Sequence, residues 1–100
     1  MLFADRIRQL REQKQMPQRQ LAAALEIDTA TYCKIERGER RSKREQVYIL
    51  ADLLEIDKDQ LLNLWLAEQI YSVDKDEENA EKVLDIVHES VIEYKSGTKK

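Results

Sequence analysis

Glycine and proline are scarce here. Two glycines and one proline in 100 residues leave little of the turn chemistry that hairpins need, and no stretch alternates β-branched with polar residues. The sequence therefore points to an all-α fold. A single cysteine, Cys33, excludes an internal disulfide and agrees with a reducing compartment. His88 is the only histidine and has no cysteine or second histidine at ligand spacing, so no metal is expected and the residue reads as an interface or surface group. There is no glycine-rich phosphate loop. The carboxylates from Asp74 to Glu81 read as a solvated helix start and not as a cation site. An enzyme is thus a poor reading, and no cofactor or small-molecule ligand is expected. No apolar run approaches the ~18 residues of a membrane span, and Asp5 and Arg6 interrupt the N-terminus too early for a signal-peptide core. The expected location is cytoplasmic, away from membranes.

What is abundant is charge, and it is unevenly placed. The net charge is −3, yet residues 1–46 carry 11 Lys/Arg against 7 Asp/Glu, while residues 47–100 carry 6 against 13. Six cations, Lys34, Arg37, Arg40, Arg41, Lys43 and Arg44, fall within eleven residues and are opposed only by Glu36 and Glu39. Such a cluster is a local phosphate-binding footprint.

The same region carries the clearest pattern. From Pro17, a short helix is expected with Leu21, Ala22 and Leu25 on one side. Asp28 can cap a second short helix in which Tyr32 and Ile35 point inward, leaving Thr29, Ala30, Thr31, Cys33, Lys34 and Arg37 outward. Gly38 can end it in a left-handed cap. Two short helices joined by a tight turn, the second presenting small polar and basic residues, have the layout of a helix-turn-helix reader of double-stranded DNA.

Met16-Pro17-Gln18-Arg19-Gln20-Leu21-Ala22, Leu25-Glu26-Ile27-Asp28 and Tyr32-Cys33-Lys34-Ile35-Glu36-Arg37-Gly38 together resemble the Cro/cI-type helix-turn-helix of the lambda-repressor-like (XRE) regulators. The likeness continues through Leu50-Ala51-Asp52-Leu53-Leu54 and Asp59-Gln60-Leu61-Leu62 to about Leu64. It implies a five-helix DNA-binding domain over residues 1–71, with the motif at about 17–37. It also implies an ion pair between Arg11 and Glu36, and a Gln18 that bonds a phosphate and braces the recognition helix. Thr29, Ala30, Thr31 and Lys34 would face base edges, and Arg37, Arg40, Arg41, Lys43 and Arg44 would hold phosphates. The chain departs from the family pattern at Pro17, where a threonine cap is usual, and at Glu26, where glycine serves a left-handed turn. Cys33 stands where small polar residues are usual and reads as a small filler.

Beyond the motif, Ser42-Lys43-Arg44-Glu45 reads as a capping box opening a fourth helix, with Val47, Leu50, Ala51 and Leu54 on its core face. Asp57 caps a fifth helix from about Lys58 to Tyr71. Leu61, Leu62, Leu64, Trp65, Leu66 and Ile70 surround much of that helix, so it must be covered on more than one side. Residues 72–100 are expected to form a C-terminal extension. Its helix would run from about Asp74 to Lys95, opened by Asp74 and Glu77, with a frayed tail from Thr98 to Lys100. Leu84, Val87, Val91 and Tyr94 share one seam, too short for an independent coiled coil. With Trp65, they are expected to pair two subunits. The resulting expectation is a homodimeric regulator on a palindromic operator, a repressor or autoregulator, among whose kind are restriction-modification controllers and antitoxin partners. The competing reading is a helical protein-interaction module with a vestigial helix-turn-helix.

Overall fold

The computed structural model describes residues 2–98. They form α1 (Phe3–Gln13), α2 (Gln18–Ala24), α3 (Thr29–Glu36), α4 (Arg44–Leu53), α5 (Lys58–Asp74) and α6 (Ala80–Thr98), with no strand among the described residues. The chain divides after Gln69 into two compact units.

The first unit is assembled from amphipathic stripes. Phe3 and Ile7 of α1, Leu21 and Ala22 of α2, Tyr32 and Ile35 of α3, Val47, Leu50 and Ala51 of α4, and Leu61 of α5 form one buried cluster, joined by Leu25 and Leu54. Full burial of each large side chain contributes about 1.5–3 kcal/mol relative to exposure. Leu10, Leu62, Leu64 and Trp65 pack against this core half-buried.

Turns between these helices share one solution. After α1, Gln15 N–H bonds the Glu12 carbonyl and Met16 N–H bonds Arg11; after α2, Glu26 bonds Ala23 and Ile27 bonds Ala22; after α4, Glu55 bonds Asp52 and Ile56 bonds Ala51. α3 ends likewise, with Gly38 N–H on Ile35 and Glu39 N–H on Lys34. This is the Schellman cap, which needs a left-handed residue at its corner. Glycine supplies it only at Gly38 (φ 77°), while Gln15, Glu26 and Glu55 adopt φ of 56°, 58° and 57°. Met16, Ile27 and Ile56, the residues that follow those three corners, pack on the core, which offsets the backbone cost. Lys14 and Glu55 also form an ion pair, joining the ends of α1 and α4.

Helix starts are less uniform. Asp28 accepts from Thr31 N–H at 2.7 Å and Asp57 from Gln60 N–H at 3.0 Å. Pro17 precedes α2 with no side-chain cap. α1 has no cap from Leu2, but Glu68, far along in α5, accepts from Ala4 N–H at 3.1 Å. The capping box expected from Ser42 and Glu45 lies one residue further on: Lys43 is the N-cap, and its N–H donates to the Gln46 side chain at 2.8 Å. Ser42 is instead buried, its hydroxyl without a hydrogen-bond partner.

The last two helices differ from expectation in their bounds. α5 runs on to Asp74, so Asp74 ends one helix and does not open the next. It is buried, and one carboxylate oxygen lacks a hydrogen-bond partner. A turn follows, with Glu77 N–H on the Asp74 carbonyl, and α6 begins at Ala80 after Asn79, whose carbonyl accepts from Val83 N–H. α6 passes through Ser96 and Gly97 to Thr98; Lys99 and Lys100 of the expected frayed tail lie outside the described residues. Among the described residues, no helix is long and apolar enough to cross a membrane.

Candidate nucleic-acid interface

α3 is held to α1 and α2 by one polar network. Arg11 Nε donates to Glu36 Oε2 at 2.6 Å and its Nη2 to Glu36 Oε1 at 3.1 Å, a bidentate pair, while Nη1 donates to the Met16 carbonyl at 2.9 Å. Gln18 Nε2 adds a bond to Glu36 Oε1 at 3.2 Å. The Glu36 side chain is 2 % exposed and that of Arg11 13 %. Burial alone would push the Glu36 carboxyl upward, but the bonds from Arg11 and Gln18 help to win, and its pKa is lowered. Arg11 is raised correspondingly, first by its bond to Glu36. Tyr32, beside this pair, is kept protonated by burial and by the neighbouring Glu36 carboxylate.

Cys33 lies in this network too. Its thiol donates to Gln18 Oε1 at 2.9 Å, so it turns toward α2 and is not a free outward residue. Both ends of the Gln18 amide are thereby tied to α3. A primary amide has two N–H donors, which leaves one for an outside acceptor. Sequence reasoning missed the role of Cys33 because pattern gives a residue its helix face, not its partner across the turn.

The remaining face of α3 is open. Thr29, Ala30, Lys34 and Arg37 are exposed and Thr31 is half-exposed; at about 100° per residue the first four fall within one arc of roughly 140°. Asp28 is held below the usual carboxylate range, chiefly by the Thr31 backbone N–H. Arg37 pairs with Glu39 at 3.3 Å in full view of solvent, an arrangement worth ~1 kcal/mol or less. Arg40, Arg41, Lys43 and Arg44 are all exposed. The folded chain thus gathers the cations into a loop and helix start immediately after α3.

The residues assigned to dimerisation do not share one environment. Trp65 is engaged inside the first unit, its indole N–H donating to the Ser42 carbonyl at 3.1 Å. Leu84, Val87, Val91 and Tyr94 lie on α6 in the second unit and are exposed.

No curated protein and no solved structure shows significant similarity to this chain. A family described as the helix-turn-helix domain matches residues 2–64, spanning α1 to α4 and the first part of α5. With the two-helix geometry of α2 and α3 and the exposed face of α3, this match identifies the chain as a member of the helix-turn-helix domain family.

Proposed function

We propose that the protein is a sequence-specific, double-stranded-DNA-binding transcriptional regulator of the Cro/cI (XRE) type, a repressor or autoregulator acting as a homodimer on a palindromic operator. The observation that carries this reading is the continuity of an open α3 face with the basic segment from Arg37 to Arg44. α3 enters the major groove, where Lys34 donates to guanine O6 or N7 and Ala30 or a threonine methyl meets a thymine methyl. The remaining N–H of Gln18 and the side chains of Arg37, Arg40, Arg41, Lys43 and Arg44 hold phosphates, fixing position without reading sequence. Leu84, Val87, Val91 and Tyr94 of α6 meet their counterparts in a second copy, and an operator whose half-sites lie one helical turn, about 34 Å, apart is expected.

Selection of duplexes from a random-sequence pool tests this directly. The expected outcome is an inverted repeat bound by two subunits with a steep salt dependence. Lys34→Ala should relax preference at one base position by ~1–3 kcal/mol, and Arg41→Ala should weaken all sequences and reduce the salt slope by about one. A pool that returns no enriched sequence, together with a monomeric protein at micromolar concentration, would leave the interaction-module reading standing in its place.

A further inference from the structure

Residues 37–43 connect α3 to α4 outside any helix, and Arg40, Arg41 and Lys43 project from that segment into solvent. Exposed cations on a mobile loop bind phosphate poorly, because ordering the loop must be done at the moment of binding. Ser42 breaks the pattern. It is 3 % exposed in an otherwise exposed segment. Its carbonyl accepts the Trp65 indole N–H at 3.1 Å across 23 positions of sequence. The Arg44 guanidinium lies over the same ring, 5.9 Å from its centroid, within cation–π range. Trp65 is itself packed against the core of the first unit, so the ring is a fixed post and not a second loose element.

We infer that Trp65 is a positioning residue for DNA binding, clamping the basic loop at Ser42 and Arg44 so that Arg40, Arg41 and Lys43 meet the phosphates in a preset register. This rests on the DNA-binding reading above. It also moves Trp65 from the dimerisation set to the DNA-facing apparatus, although the ring itself touches no nucleic acid. The burial of Ser42 follows from the same clamp: drawing its carbonyl to the indole carries its side chain inward and leaves the N-cap to Lys43.

The test separates the clamp from its consequence. Trp65→Phe keeps an aromatic ring for packing and for Arg44 but removes the indole N–H; Trp65→Leu removes both. Trypsin cuts after Arg40, Arg41, Lys43 and Arg44, and also after Arg19 within α2, which serves as the internal control. In Trp65→Phe, cleavage in the loop should rise by about threefold to tenfold, the range expected for one lost hydrogen bond, with cleavage after Arg19 unchanged. Affinity for duplexes of every sequence should fall by a similar factor, and Trp65→Leu should move both readouts further. Loop cleavage at the wild-type rate in Trp65→Phe, or a parallel rise after Arg19, overturns the clamp. Faster loop cleavage with undiminished DNA affinity overturns the positioning role. A wild-type protein that binds no duplex removes the DNA-binding reading and the positioning role together, while the cleavage pattern still decides the clamp.

Discussion

In the first unit Ile7, Leu21, Tyr32, Val47, Leu50 and Leu61 lose all exposure to solvent, whereas on α6 Val83, Leu84, Val87 and Val91 each keep between 40 and 46 % of their surface exposed. Both sets are regularly spaced and apolar. The first unit closes its own core, ties its helix ends with four Schellman caps and seats Glu36 in a buried ion pair. α6 has an equally ordered stripe without that closure. The contrast teaches that periodicity reports which face of a helix is meant for burial, but not whether the same chain will cover it. On the dimer reading, the stripe of α6 is one half of a core whose other half lies on a second copy.

The largest expected effect strikes the self-contained unit. Arg11→Ala leaves the Glu36 carboxylate buried without its main partner and should cost ~3–5 kcal/mol in urea denaturation. Loss of 1 kcal/mol or less would mean that the pair is merely decorative, and that the unit's closure depends on its apolar cluster alone. The same network has a pH signature. Since the folded pKa of Glu36 is lowered, the unfolded chain binds more protons in the window between the two values. The stabilisation is complete above the ordinary carboxylate value of about 4.3 and is lost as pH falls through the lower folded value. Asp28 and Glu55 shift in the same direction, through Thr31 N–H and Lys14 respectively. Glu36→Gln should therefore flatten, without abolishing, the acid limb of a stability–pH profile.

The second unit is probed by the opposite kind of substitution. Val87→Asp combined with Val91→Asp should leave helicity and the urea midpoint of the first unit nearly unchanged while sedimentation shows monomers in place of dimers. If the wild type is already monomeric at micromolar protein, or the double variant still dimerises, the α6 seam is not the subunit interface.

The smallest expected effect concerns the corners. Glu26→Gly relieves a left-handed backbone that costs an L-residue about 1–2 kcal/mol, partly offset by the greater freedom of glycine in the unfolded chain. A net gain of about 0.5–1 kcal/mol should appear in denaturant titration. Glu55→Gly should gain less, because it also gives up the ion pair with Lys14.

These corners also show where sequence was readable. The faces of α2 to α4 were legible because amphipathic spacing is local: Leu21 with Leu25, Tyr32 with Ile35, and Val47 with Leu50 and Leu54 all turn inward. Glu26 was legible as a left-handed position only through the glycine that the Cro/cI-type pattern, which this stretch resembles, has there. Gln15 and Glu55 offered no such cue, since what permits them is the packing of Met16 and Ile56 in three dimensions. Ser42 and Glu45 matched a capping pattern, but Lys43 takes the N-cap, while Ser42 is buried with its carbonyl accepting from the distant Trp65 indole. α1 borrows its cap from Glu68, at a sequence distance no local rule can see. Asp74 carried a start signal that the continued apolar run of α5 overrode. The open face of α3 and the exposed basic run after it were legible as helix face and composition, while the tie between Cys33 and Gln18 was not.

The shortness of α3 carries a consequence of its own. Eight residues make a rod about 12 Å long, and base pairs recur about every 3.4 Å, so a groove-bound α3 reaches roughly three or four steps. Four fully specified positions distinguish one tetramer among about 256, a word that recurs by chance in every few hundred base pairs of any genome. One such helix cannot name an address. Two copies at a fixed spacing square that selectivity, so on the dimer reading the information content of an operator, and not only its affinity, is set by whether the chain finds its twin.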